Sequence, residues 1–453
     1  METIAAIATP PAVGGIAVIR ISGADALAVA ERVFRPVGER AVAGMDGYTA
    51  AYGAFYDGET RLDDGVLLVF RAPRSYTGEN VAELSCHGGL YLSRRVLAAC
   101  FKAGARPAQA GEFTKRALLN GKLSLTQAEA VADLIGAQNE QYLFCARAQR
   151  EGALYRRLRA VSERLLDFSS LVGAWIDYPD EMEDEFDPAR EAEKLSAALA
   201  ELDRLLKSYD EGRLLREGIS CAIVGRPNAG KSTLMNRLSG RERSIVTEIE
   251  GTTRDIVEET VLLGGVPLRL SDCAGYRETE DRVERLGIEK MLNEIENAEL
   301  VLAVFDGSRA LNRDDERLLD RLAGKKCICI VNKADLPTEI DLTRLRERFP
   351  YLLTLSAKTG EGGEALADLV KEAAGLAKAD LYSGFIANER QRGCLREARD
   401  STARAVEALK EGVTPDAVGV LAENALSRLY ELSGESVSET VIDEVFKRFC
   451  VGK

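Results

Sequence analysis

Four short motifs carry residue types that could do chemistry on a nucleotide. Gly225-Arg-Pro-Asn-Ala-Gly-Lys-Ser232 has the spacing of a phosphate loop. Successive backbone N–H groups and a helix amino terminus would cradle the phosphates there. Asn228, Ala229, Gly230, Lys231, Ser232 and Thr233 would line them, with Lys231 reaching the β/γ oxygens and Ser232 ligating Mg²⁺. Asp272-Cys-Ala-Gly275 offers a carboxylate that can hold Mg²⁺ through water, and a glycine, Gly275, that can contact the γ-phosphate. Asn332-Lys-Ala-Asp335 offers a second carboxylate. Asp335 can accept both N1–H and the exocyclic amine of guanine, which adenine cannot supply, so the wrong base would leave buried acceptors unpaired. Ser356-Ala-Lys358 can reach guanine O6 through a backbone N–H. Each motif alone is weak, but all four in this order predict a GTP-binding domain.

The chemistry of hydrolysis is less legible. Gly251-Thr-Thr-Arg-Asp255 lies between the phosphate loop and Asp272, where a second Mg²⁺ ligand is needed. Tyr276 stands where Ras-like enzymes carry the glutamine that orients attacking water. Glu278, Glu280 and Glu284 are the replacements at hand, although any one of them could equally be a solvated helix residue. Arg254 and Arg277 could act as arginine fingers or form surface pairs. With a single histidine, His87, the chain lacks the residues for Ser-His-Asp chemistry with a spare base or for a multi-histidine metal site. The nine cysteines show no paired CxxC spacing and are odd in number, which points to a reducing, cytoplasmic setting.

The elements that must position these motifs follow from apolar periodicity. From Gly218 onward strands alternate with amphipathic helices: Ile219–Val224, a helix from Lys231, 266–270, a helix near 283–296, 300–305, 326–331 and 351–355. That alternation is the pattern of a doubly wound, mostly parallel sheet, with every motif at a strand end. Before it, residues 123–215 are rich in Ala, Leu, Glu and Arg, with Leu154, Leu158, Val161, Leu165 and Phe168 at helical spacing. Helical texture returns after Leu376. The first 120 residues hold short apolar runs at 15–21 and 66–71 that read as strands, and 91–103 as a helix. The expected fold class is therefore multidomain α/β plus all-α. Its parts are an amino-terminal α+β domain (1–120), a discontinuous helical domain (121–216 and 377–453) and an inserted Ras-like GTPase domain (217–376).

A chain of 453 residues is long enough for about three domains. Its net charge of −13 repels nucleic acid as a whole, so any RNA contact needs a local basic patch. Arg147, Arg150, Arg156, Arg157, Arg159 and Arg164 form one candidate; Arg390, Arg392, Arg396, Arg399 and Arg404 form another. Both are equally readable as salt-bridged helix faces. No run of about 18 uncharged apolar residues exists, and no basic, apolar leader is recognisable, so a cytoplasmic protein without a membrane span is expected.

Taken together these motifs resemble the MnmE (TrmE) family of tRNA-modifying GTPases. The resemblance rests on the phosphate loop with Asn228, on Ile245-Val-Thr-Glu-Ile-Glu-Gly-Thr-Thr-Arg-Asp255 and on Phe449-Cys-Val-Gly-Lys453. It extends over the whole chain through Thr9-Pro-Pro, Arg20-Ile-Ser-Gly23, Tyr76-Thr-Gly-Glu79, His87-Gly-Gly89, Leu118-Leu-Asn-Gly-Lys122 and Gln127-Ala-Glu-Ala-Val-Ala-Asp-Leu134. The family departs from this chain at Cys273, where Thr is usual, and at Tyr276, where Leu or Ile is usual. The resemblance implies a potassium-activated GTPase. Asn228, Thr247, Ile249 and Thr252 would ligate K⁺, Ser232 and Thr253 would ligate Mg²⁺, and Glu284 would position the attacking water. A cation beside the β/γ-phosphates can replace the charge of an arginine finger.

The same resemblance implies a folate-binding amino-terminal domain that also forms a homodimer. Arg20, Glu83, Lys122 and Lys453 would hold a 5-formyl- or 5,10-methylene-tetrahydrofolate; an Arg20–Glu83 structural ion pair is the competing reading. Cys450 reads either as a nucleophile beside the folate or as a buried packing residue, and His87 as structural or ligand-shaping rather than a general base. The implied reaction, with the FAD-containing partner MnmG in a heterotetramer, places a carboxymethylaminomethyl or aminomethyl group at C5 of the tRNA wobble uridine (U34). Two rival classes are an Era-like RNA-assembly switch without modification chemistry and a folate-dependent aminomethyltransferase. The first requires a KH-like pattern, which is not visible, and the complete set of nucleotide motifs argues against the second.

Overall fold

The computed structural model describes residues 1–38, 41–178, 186–241, 259–270, 294–376, 383–436, 438–447, 449 and 451–452. The chain divides into two compact units. One comprises 1–132, 150–169 and 422–453; the other comprises 133–149 and 170–421.

The first unit is built on a seven-stranded sheet. Its strands are β1 (Ile4–Ile7), β2 (Ile16–Ser22), β3 (Phe34–Pro36), β4 (Thr49–Asp57), β5 (Thr60–Phe70), β6 (Val81–His87) and β7 (Arg106–Pro107). Their spatial order is β3-β4-β5-β6-β2-β1-β7. All neighbours run antiparallel except β1 and β7. Alternation on β2 and β6 sends Ile19, Ile21, Ala82 and Leu84 into a core completed by Val29 and Val33 of helix Ala26–Val33 and by Val96 and Cys100 of helix Leu90–Lys102. Each of the Ile, Leu and Val side chains contributes about 1.5–3 kcal/mol by leaving water. The period of two places Arg20 and Glu83 on the opposite face, directly across from each other in the β2–β6 register.

The second unit is built on β8 (Ile219–Val224), β9 (Glu259–Leu263), β10 (Val266–Leu270), β11 (Leu300–Asp306), β12 (Cys327–Asn332) and β13 (Tyr351–Thr354). The order is β13-β12-β11-β8-β10-β9, parallel throughout except for the β9–β10 hairpin. The central strands β8, β11 and β12 are buried on both faces and are apolar at nearly every position. Cys221, Ile223, Leu302, Val304, Ile328 and Ile330 face one core. Ala222, Val224, Val301, Phe305, Cys329 and Val331 face the other. Strand β9 was not apparent from periodicity; it is the antiparallel edge that a doubly wound sheet often carries.

Helix Pro188–Glu217 leads into β8. It starts at Asp187, whose side chain accepts the N–H groups of Ala189 and Arg190, with Pro188 in the first turn. It stops at Gly218 (φ +76°), where a side chain would press on the Pro267 carbonyl 2.9 Å away. Helix Glu389–Lys410 lies antiparallel beside it, tied by Tyr209 Oη donating to Glu389 (2.8 Å) and Arg399 donating to Asp203 (2.8 Å).

Candidate functional site

The strand order reverses around β8, whose neighbours are β11 on one side and β10 on the other. In doubly wound sheets the carboxyl ends of strands at such a reversal bind ligands. The Gly225–Gly230 loop follows β8, and helix Lys231–Arg241 follows the loop. Gly225 (φ +152°) runs so close to β11 that a Cβ would lie 2.3 Å from the Val304 carbonyl oxygen. Asn228 adopts φ +63°, a conformation asparagine tolerates better than most residues. Gly230 (φ +96°) leaves room for the Asn332 amide, which would be 2.1 Å from a Cβ at that position.

These constraints aim the first N–H groups of helix Lys231–Arg241 out of the loop, as an anion site requires. Lys231 Nζ donates to the carbonyls of Gly225 (2.6 Å) and Arg226 (2.8 Å), which holds its ammonium across the loop. The side chains of Ser232 and Thr233 are exposed at the helix start, available to a metal or phosphate.

The base end is assembled from the ends of β12 and β13. Asn332 is buried, and its Nδ2 donates to the Ala229 carbonyl (2.8 Å) while its Oδ1 accepts the Ala357 N–H (2.9 Å). One side chain thus fixes the phosphate loop against the Ser356–Lys358 loop. Ser356 Oγ donates to Asp335 Oδ1 (2.7 Å), and this bond, with Lys358 and Lys333 nearby, lowers the pKa of the exposed Asp335 carboxyl. Asp335 is therefore a fixed, ionised acceptor at neutral pH, the form that takes N1–H and N2–H₂ of guanine. Lys333 (φ +69°) turns its ammonium onto Asp306 at 2.6 Å. Burial alone would raise the Asp306 pKa, but the bonds from Lys333 and Ser308 outweigh it and lower it. That Asp306–Lys333 pair, like the bridging role of Asn332, joins residues on separate strands and had no signal in sequence spacing.

Of the nucleotide-site residues expected from sequence, Asn228, Ala229, Gly230, Lys231, Ser232, Thr233, Asn332, Lys333, Asp335, Ser356, Ala357 and Lys358 gather at the carboxyl edge of one sheet. Thr247, Ile249, Thr252, Thr253, Asp272, Gly275 and Glu284 lie outside the described residues, as do Cys450 and Lys453.

A second polar cluster lies in the first unit. Arg20 Nε donates to Glu83 Oε1 at 2.7 Å, and its Nη1 donates to the Gly452 carbonyl at 3.3 Å. The guanidinium carbon is 5.7 Å from the Tyr76 ring centroid and 5.6 Å from that of Phe113. Gly452 (φ +101°) packs against the Ile7 carbonyl where no side chain would fit, and Val451 bridges to Ala110. The chain's last residues are thereby brought beside β2, a proximity of residues more than 430 positions apart. Lys122 Nζ donates to the Pro73 carbonyl (3.1 Å).

The remaining candidates have simpler surroundings. His87 is exposed, with Nδ1 on Asp63 at 2.8 Å, and that hydrogen bond raises its pKa. Burial pushes the Cys86 thiol up to about 11 and those of Cys100, Cys145 and Cys327 to about 12, so these four are neutral packing groups. Among the candidate basic residues, Arg159 pairs with Glu163, Arg392 with Glu389 and Arg399 with Asp203. Among the described residues no helix is long and apolar enough to cross a membrane.

Comparison with known proteins covers the whole chain. The family model for the MnmE helical domain matches residues 125–450, and that for the GTP-binding protein TrmE N-terminus matches residues 3–122. The chain is 43% identical over 457 residues to the tRNA modification GTPase MnmE of Symbiobacterium thermophilum, covering 100% of this chain and 99% of that one. It is 42% identical over 459 residues to the protein of the same name from Geobacter metallireducens, with the same coverage. The corresponding figure for Acetivibrio thermocellus is 38% over 457 residues, again with 100% and 99% covered.

Proposed function

The chain belongs to the MnmE (TrmE) family of tRNA modification GTPases, and from that premise we propose that it is a K⁺-activated GTP hydrolase whose turnover drives modification of a tRNA wobble uridine. The observation that carries the nucleotide part is the Asn332 bridge. It holds a phosphate loop and a guanine-reading loop at one sheet edge, with the ionised Asp335 carboxylate beside them. Ser232 with Thr253 would ligate Mg²⁺, and Asn228, Thr247, Ile249 and Thr252 would ligate K⁺, leaving Glu284 to orient water. The K⁺ charge would stabilise the transition state where an arginine finger otherwise acts.

In the first unit, the Arg20–Glu83 pair beneath Tyr76 and Phe113 supports a tetrahydrofolate site. The carboxylate suits the amidine-like edge of a pterin, and Lys122 and Lys453 suit its anionic tail. We assign domains at 1–120, 121–216 with 377–453, and 217–376; the family matches over 3–122 and 125–450 support the first of these boundaries. The protein would act in the cytoplasm as a homodimer, with MnmG, to add an aminomethyl-type group at C5 of U34. G-domain motion coupled to hydrolysis would gate that chemistry.

Steady-state GTPase rates in KCl and NaCl at equal ionic strength test the central reading. A rate that rises only in KCl is expected, and equal rates would remove the potassium assignment.

A further inference from the structure

We propose that Arg237 is a positioning residue for guanine recognition, clamping the Ser356–Thr359 loop from the helix that also carries the phosphate lysine. This rests on the GTP-binding reading above and adds a residue that neither the motifs nor spacing in the sequence single out.

Helix Lys231–Arg241 begins with Lys231 and buries Leu234 and Leu238. Arg237 lies beside that buried face, half-buried itself, so its stem follows the apolar surface while its guanidinium reaches the loop after β13. Nη1 donates to the Lys358 carbonyl at 3.1 Å and approaches the Ala357 carbonyl at 3.5 Å, and Nη2 donates to the Thr359 carbonyl at 2.7 Å. Among the described residues nothing else donates to the Lys358 or Thr359 carbonyls. The planar fork thus fixes two successive peptide units, something a lysine could do at only one point.

Two further features depend on this fork. Gly360 (φ +89°) lies flat against the guanidinium, and a Cβ there would stand 1.8 Å from Nη2. Ser356, Ala357 and Gly360 also border a cavity of about 550 Å³ together with Leu234, Arg237 and Leu238, so close packing does not hold this side of the loop. The loop is held instead by three polar ties: Asn332 on the Ala357 N–H, Asp335 on Ser356 Oγ, and Arg237 on the carbonyls. Asn332 and Asp335 are motif residues; Arg237 supplies the third tie. Its effect on the base passes through the backbone N–H groups of this loop: Asn332 holds that of Ala357, which leaves the next one, on Lys358, as the donor that would face guanine O6. It should therefore appear as a change in how strongly that oxygen is read.

The test uses the full-length protein with fluorescent mant-GDP and with 6-thio-GDP, whose sulfur accepts that N–H poorly. Arg237→Met should speed mant-GDP release about tenfold, the effect of losing one charge-assisted bond. It should also shrink the wild-type preference for GDP over 6-thio-GDP by about fivefold. Arg237→Lys, which keeps one donor, should recover part of both effects, and Arg237→Gln serves if the Met variant does not fold. Faster release with an unchanged GDP to 6-thio-GDP ratio would reduce Arg237 to a packing residue and overturn the proposal, as would wild-type values for both. Failure of the wild-type protein itself to bind mant-GDP would instead overturn the nucleotide reading.

Discussion

Asn332 holds Ala357 by accepting its N–H at 2.9 Å, and the other end of the same amide is bonded to the phosphate loop at the Ala229 carbonyl. The loops proposed to read phosphate and base therefore share one buried side chain. Asn332→Ala removes both bonds and leaves a buried N–H and a carbonyl unpaired, at a cost of roughly 1–3 kcal/mol for each group. Affinity for mant-GDP should drop at least about tenfold, with a lower melting temperature for the second unit. Nucleotide titration followed by a thermal scan checks both, and unaltered affinity would separate Asn332 from the site.

Asp335 would be the acceptor for the guanine edge, and the Ser356 hydroxyl bond lowers the pKa of its carboxyl further. Asp335→Asn replaces one acceptor with a donor that opposes N1–H. GTP affinity should fall by about two orders of magnitude, while XTP, which carries an oxygen in place of the 2-amino group, should bind better than GTP. Competition of GTP and XTP for the variant decides it; retained preference for GTP would contradict the assignment.

Acid sensitivity of the first unit should centre on Glu112. Burial raises its pKa, but hydrogen bonds from Arg106, the Gln109 N–H and Arg116 more than reverse this, bringing it from 4.5 to about 2. A carboxyl depressed in the folded state stabilises it fully above the unfolded value. That contribution disappears as the pH falls from about 4.5 to about 2. Glu112→Gln should therefore cost about 3 kcal/mol at most at pH 7, and the gap to wild type should narrow below pH 4.5. Urea unfolding of both proteins at pH 7 and at pH 3.5 provides the comparison; a gap that stays constant would rule out this linkage.

Arg20 sits between Glu83, Tyr76, Phe113 and the Gly452 carbonyl. Calorimetry with 5-formyltetrahydrofolate should show binding to the wild-type protein and about tenfold or greater weakening in Arg20→Met, since a charge-assisted contact is lost. Absence of heat with the wild type would leave Arg20–Glu83 as a purely structural pair.

Among the described residues, the nucleotide motifs are legible from spacing because each needs a fixed local backbone: glycines at Gly225 and Gly230, a helix start at Lys231, and a strand that ends at Asn332. The strands of the second unit were readable for a related reason. Burial on both faces makes the central ones, β8, β11 and β12, nearly continuous apolar runs. Strand β9 escaped because Glu259–Leu263 pairs on one side only and lies at an edge, where hydrophobic patterning is weakest.

The sequence by itself determined the order of motifs, the ligand chemistry they imply, and the family, since these depend on residue type and short-range spacing. Tertiary structure alone decided which distant groups share a site. Arg237 reaches Thr359 and Arg20 reaches Gly452 only because the β-sheets and helices bring separate chain segments within hydrogen-bond range. Such contacts leave no periodic trace in the chain, for they depend on three-dimensional closure rather than on any repeat of 2 or 3.6 residues.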